Sequence, residues 1–144
     1  MISGNLSHPF ATTGATARLK EEFDTYGKLV IGFDFDNTIF DFHNNGGHYS
    51  DIIKILQECK KLGFSLCLFT AEPNEEWLKW KIAYCKHFGI EPDYVNDSPL
   101  FPGTKKPFFS ILLDDRAGLE SAYYTLVSII NYANSKSCKQ RRRF

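Results

Sequence analysis

Asp34 and Asp36 sit one residue apart in the stretch LVIGFDFDNTIF (Leu29 to Phe40), where an apolar run rich in β-formers gives out. Two carboxylates this close repel unless a cation or a shared proton offsets them. Further along, Thr70 follows the apolar run FSLCLF, Lys105 and Lys106 lie in a Pro-punctuated loop, and Asp114, Asp115 and Arg116 follow the run FFSILL. Alone, Asp-x-Asp is equally a turn signal in which Asp36 and Asn37 cap the next segment. Together the set offers a nucleophile-plus-acid pair, a hydroxyl, an ammonium and a further acid pair, which suits Mg²⁺-assisted attack on a phosphate. Magnesium takes hard oxygen ligands and would neutralise the carboxylates.

These residues need elements that bring them to one place. Leu19, Phe23 and Tyr26 recur at helical spacing, which predicts a helix over 15–26 stopped by Gly27; an irregular arm, 1–14, precedes it, with Phe10 as its anchor. A strand follows from Leu29. The segment DFHNNGGHYS (41–50) reads as a small hairpin or flap beside the carboxylates, in which His43 and His48 are solvated, metal-ligating or substrate-touching. Ile52, Ile55, Leu56 and Cys59 predict an amphipathic helix over 51–62, with Ser50 as N-cap and Gly63 as stop. A buried strand over 64–69 leads to a helix over 74–88 with Asn74 as N-cap, whose Trp77, Trp80/Lys81, Tyr84 and Phe88 share one side, as core or as a surface on which a base could stack. A short strand (93–96), the lysine loop, a strong strand (108–113) and a closing helix (118–133) complete the chain.

Helices alternating with strands imply right-handed crossovers and a mostly parallel sheet covered on both faces, an α/β architecture. Ligands bind such sheets beyond the carboxyl ends of the strands. Asp34/Asp36, Thr70 and Asp114/Asp115 all belong at those ends, and the lysine loop feeds the last of them.

Composition admits this reading. At 144 residues, with 43% hydrophobic and 15% aromatic content, the chain is one ordinary domain with an aromatic-rich core. No apolar run approaches a membrane span and the amino terminus lacks signal-peptide order, so a cytoplasmic protein without membrane partners is expected. Cys59, Cys67, Cys85 and Cys138 form no C-x-x-C and have no histidine at finger-like spacing, and read as reduced thiols with Cys67 buried. The zero net charge hides an asymmetry: five of the 17 basic residues fall in the tail 136–144, leaving 12 basic against 17 acidic groups in residues 1–135. Such a body repels phosphates, so a phosphate site must supply a metal or local positive charge. The tail reads as free and solvated, or as a nucleic-acid grip.

Asp34-Phe35-Asp36-Asn37-Thr38 resembles the D-x-D-x-T motif of the haloacid dehalogenase superfamily. Thr70 looks like its second motif, Lys105 or Lys106 its third and Leu113-Asp114-Asp115 its fourth, in the same order, over about Leu29 to Ala133. The resemblance implies a three-layer Rossmann-like domain over 15–135 and a Mg²⁺-dependent phosphatase. Asp34 would attack phosphorus to give an aspartyl-phosphate. Asp36 would protonate the leaving oxygen, deprotonate the hydrolytic water and ligate the metal through its backbone carbonyl; an acid there is the phosphatase form of the motif. Thr70 and a lysine would bind phosphoryl oxygens. Lys106 is favoured over Lys105 because Pro107 holds it extended. Of Asp114 and Asp115 one would ligate the metal and the other orient the lysine, with Asp115 ahead as ligand. Arg116 would contact substrate or pair with a surface acid.

From Asp36 to Thr70 is 34 positions and from Thr70 to Lys105 is 35, each consumed by predicted elements, so neither gap holds a cap domain. In this superfamily a capless site goes with a phosphorylated macromolecule as substrate, such as a phosphoprotein or a nucleic-acid end, or with an oligomer or partner that covers the site. The small phosphatase-like members ending in an IDDR-type motif look closest, and LLDDR is similar to the phosphatase half of polynucleotide kinase-phosphatases. A response-regulator receiver gathers similar groups, but its acid pair comes first and its lysine last. A non-catalytic phospho-ligand or metal-binding regulatory protein and a phosphotransferase are the rivals on the same fold; the intact motif set counts against the first.

Overall fold

The computed structural model of the chain describes residue 10 and residues 12–142. Its elements run α1 (Thr12–Tyr26), β1 (Val30–Phe33), α2 (Ser50–Lys61), β2 (Ser65–Leu68), α3 (Glu75–His87), β3 (Tyr94–Val95), β4 (Ile111–Leu113) and α4 (Leu119–Arg142). The four strands form one sheet in the order β3-β2-β1-β4, and every pairing is parallel. Helices flank the sheet, giving the three-layer Rossmann-like α/β fold, and no inserted domain stands between β1 and β4 among the described residues.

β1 is central and wholly buried, and Leu29, Ile31 and Phe33 are completely excluded from solvent with Leu66 and Leu68 of β2 and Leu113 of β4. Such runs, apolar on both faces, are what a parallel sheet under two helical layers requires. At Gly32 a Cβ would come 2.6 Å from the Phe109 ring, so only glycine lets that ring lie against the strand. α2 buries Ile52, Ile55, Leu56 and Cys59, the face its periodicity predicts. Ser110 ties α1 to the sheet: its hydroxyl donates to Glu22 (2.6 Å) and accepts from the Val30 N–H (2.9 Å).

Several boundaries differ from expectation. α1 begins at Thr12, so residues 12–14 belong to the helix and not to the arm; Gly14 is buried, and that packing outweighs its poor helix propensity. Phe10 is 88% exposed. The rest of the arm, residues 1–9 and 11, lies outside the described residues. Tyr49, not Ser50, precedes α2 as its N-cap, and no side chain caps it, whereas the Asn74 side chain accepts from the Trp77 N–H at 3.0 Å as predicted. α3 buries Lys81 and Cys85, and this rotation leaves Trp77 (58%) and Trp80 (41%) exposed.

α4 continues nine residues beyond Ala133, through most of the segment expected to be a free basic tail. No Gly or Pro follows Ala133 to end it, and Lys136 pairs with Asp24 of α1 beside the Tyr132 hydroxyl. Loss of apolar period is not loss of helix when nothing terminates it. Among the described residues no helix is long and apolar enough to cross a membrane.

Candidate active site

Register sets the floor of the site. Phe33 pairs with Leu68 on one side and Leu113 on the other, so β1, β2 and β4 end level. The ladder continues one step, with the Asp34 N–H donating to Leu113 O (2.9 Å) and the Phe69 N–H to Phe33 O (2.8 Å). Asp34, Thr70 and Asp114 therefore leave the sheet at one edge, where a cavity of about 790 Å³ is lined by Asp34, Asp36, Thr70, Lys81, Asp114 and Arg116 among others.

Beyond Asp34 the chain folds sharply back. The Thr38, Ile39 and Phe40 N–H groups all approach Phe35 O (3.1–3.3 Å) and the Asn37 N–H donates to Phe40 O (2.7 Å), with Asn37 at φ 60°. Asparagine tolerates that left-handed conformation better than most residues. This turn buries Thr38 completely beneath the acids. Its hydroxyl accepts from the Asp115 N–H (3.1 Å) and lies 3.5 Å from both Asp34 Oδ2 and Asp115 Oδ1. Thr38 thus pins the end of β4 to the end of β1.

Asp34, Asp114 and Asp115 each offer an oxygen within 4.8 Å of the others. Burial, and then the neighbouring Asp114 charge, pushes the Asp34 carboxyl up to about 7 from its ordinary 3.8. Three hard oxygen donors whose mutual repulsion a cation would relieve fit a divalent ion such as Mg²⁺. Asp36, whose expected contribution to a metal is its backbone carbonyl, keeps its carboxylate outside this cluster and paired with Lys81.

The lysine that lines the cavity is Lys81. It is 5% exposed, and its Nζ lies 3.2 Å from Asp36 Oδ2, 3.3 Å from Glu72 Oε1 and 3.5 Å from Thr70 Oγ1, over the Phe35 ring at 5.3 Å. Glu72 is itself fixed, its other oxygen accepting from the Asn74 N–H (3.3 Å). Lys105 and Lys106 are exposed and do not line the cavity. Their loop closes on itself: Asp97 Oδ1 accepts from the Ser98 and Gly103 N–H groups (2.9 Å each), and the Thr104 hydroxyl reaches the Phe101 and Lys106 carbonyls. Sequence order suggested a lysine just before the last strand; a lysine at the buried stripe of α3, where an apolar residue belongs, was the signal for Lys81.

The other candidates divide. Thr70 lines the cavity, positioned by its N–H donating to Asn96 Oδ1 (2.8 Å). Arg116 lines it, exposed, with no ion pair among the described residues. The segment after Asp41 is a turn without strands, held by the Asp41 carboxylate accepting from the Asn45 (3.0 Å) and Gly46 (2.8 Å) N–H groups. That turn brings His43 to the cavity but not His48. Cys59, Cys67 and Cys85 are buried free thiols pushed up to about 12, chiefly by burial, which makes them inert nucleophiles.

A solved structure of a conserved protein from Bacteroides thetaiotaomicron is similar to this chain at 23% identity and a TM-score of 0.52, over 62% of this chain and 77% of that one, a likeness that bears on the fold alone. No family model and no curated protein matches the chain.

Proposed function

We propose that the protein is a Mg²⁺-dependent phosphomonoester hydrolase of the haloacid dehalogenase type, acting through an aspartyl-phosphate on Asp34. One observation carries the reading: Asp34 belongs at once to a three-carboxylate cluster and to a cavity that also holds a proton-transfer carboxylate, Asp36, and a buried ammonium, Lys81. A divalent cation held by Asp34, Asp114 and Asp115 would supply charge neutralisation for an anionic substrate in an acidic body.

The chain's own residues do the rest. An Asp34 oxygen attacks phosphorus and the ester P–O bond breaks, its electron pair leaving on the alcohol oxygen, which takes a proton from Asp36. Asp36 then accepts a proton from water as that water attacks phosphorus, releasing inorganic phosphate and regenerating Asp34. Lys81 and Thr70, rather than Lys105 or Lys106, bind the phosphoryl oxygens. In the free protein Lys81 pairs with Asp36, and an arriving phosphate competes for that ammonium. Small phosphomonoesters, phosphoproteins and phosphorylated nucleic-acid ends all fall within this chemistry.

Purified protein should release phosphate from a generic aryl phosphate in the presence of magnesium, and Asp34→Asn should abolish the release. Failure of the wild type, or activity in Asp34→Asn, contradicts the proposal. Product analysis with added alcohols separates hydrolysis from transfer.

A further inference from the structure

Phe42 and Phe69 line the same cavity as Asp34, yet 59% and 37% of their surfaces remain exposed. Exposed aromatic rings are unexpected beside a lining that is otherwise mostly charged or polar, because there they bury little against the protein.

The display of Phe42 is built. Two residues earlier, Phe40 packs against Phe35 (5.5 Å), Trp80 (5.3 Å) and Tyr84 (5.5 Å), anchoring the base of the turn to α3. The Phe42 N–H donates to Phe40 O (3.0 Å), the Asn44 N–H to Asp41 O (3.2 Å), and the Asp41 carboxylate closes the far side through Asn45 and Gly46. The Phe42 ring stands edge-to-face on His43 at 5.1 Å. The backbone carrying Phe42 is therefore fixed before any ligand arrives, which lowers the ordering cost of binding. Phe69 is braced likewise, edge-to-face on Phe109 at 5.3 Å.

We infer that the alcohol half of the substrate carries a planar aromatic ring, aryl or nucleobase, that packs on Phe42 with Phe69 as the second apolar wall. This rests on the phosphatase reading of the same cavity. The phosphoryl group occupies the polar floor at Asp34, Thr70 and Lys81, and the remaining volume lies beside the two rings and the Arg116 guanidinium, which can also stack on an aromatic face.

Two matched pairs isolate the ring from leaving-group chemistry: benzyl phosphate against cyclohexylmethyl phosphate, and adenosine 5′-monophosphate against ribose 5-phosphate. In at least one pair the ring-bearing ester should have a kcat/KM about tenfold higher, in line with the worth of one stacked ring. The pair that responds tells aryl from nucleobase. In Phe42→Ala that ratio should collapse toward one; in Phe42→Trp it should persist. Equal rates within both pairs, or a ratio unchanged in Phe42→Ala, overturns the inference. If the wild type hydrolyses neither these four nor the generic aryl phosphate, the phosphatase reading has failed. Calorimetry of the same four esters on wild-type protein then decides this inference alone: tighter binding of a ring-bearing ester, lost in Phe42→Ala, supports it, and equal binding refutes it.

Discussion

Lys81 Nζ lies 3.2 Å from Asp36 Oδ2, joining α3 to the turn after β1 across the mouth of the sheet. Lys81→Ala removes the only buried ammonium among the described residues and leaves Asp36 and Glu72 facing each other. Loss of one transition-state donor typically lowers turnover about 10²–10³-fold. Steady-state kinetics should show a loss of that size for Lys81→Ala, against less than about threefold for Lys105→Ala and Lys106→Ala, which sit outside the cavity. The reverse ranking would restore the loop lysines.

Asp34 makes metal-free stability depend on pH. Its folded carboxyl is raised to about 7 from 3.8, so between those values the folded state holds a proton that the unfolded state lacks. Stability from this group is present below the unfolded value and is lost as pH rises through the folded one. Without metal, the wild-type melting temperature should fall between about pH 4 and pH 7 relative to Asp34→Asn, which has no charge to acquire. Magnesium should stabilise the wild type more at the upper end of that range. Parallel pH profiles for the two proteins would contradict the assignment.

Thr38 is fully buried between the two acidic loops, and Thr38→Val leaves the Asp115 N–H without its acceptor. Losing this part-buried hydrogen bond costs about 0.5–1.5 kcal/mol, measurable by urea unfolding. Because Thr38 sets where Asp115 stands relative to Asp34, magnesium affinity should also weaken, by about 10–100-fold. Unchanged affinity in a folded variant would make Thr38 purely structural.

Much of this could be read from the chain. Apolar runs too short for helices, each bounded by Gly or a polar cluster, mark β1 and β2, and they place Asp34, Thr70 and Asp114 at one sheet edge because parallel strands all end on the same side. Lys81 was only half legible: its place on the stripe of α3 that reads as core marks it as out of keeping there, but its pairing with Asp36 and Glu72 depends on how the helix turns when Cys85 packs into the core. The extension of α4 past Ala133 was hidden for a related reason, since an exposed helical turn held by Lys136 and Asp24 has no apolar period to display.

Gly32→Ala probes the packing beneath the site. The new Cβ would meet Phe109 at 2.6 Å, within the central strand, forcing the ring to move. A loss of about 1–3 kcal/mol is expected in urea unfolding, the usual cost of overpacking. Because Phe109 braces Phe69, the variant should also bind ring-bearing esters more weakly. No loss of stability would mean that the ring yields freely.

The central claim is a phosphoryl group carried by Asp34. Acid quenching of the protein during turnover of an aryl phosphate with magnesium, followed by peptide mass spectrometry, tests it directly. The account predicts a phosphoryl adduct on the peptide containing Asp34, located at that residue and absent from Asp34→Asn. An adduct on another residue, or phosphate release by Asp34→Asn at the wild-type rate, would contradict it.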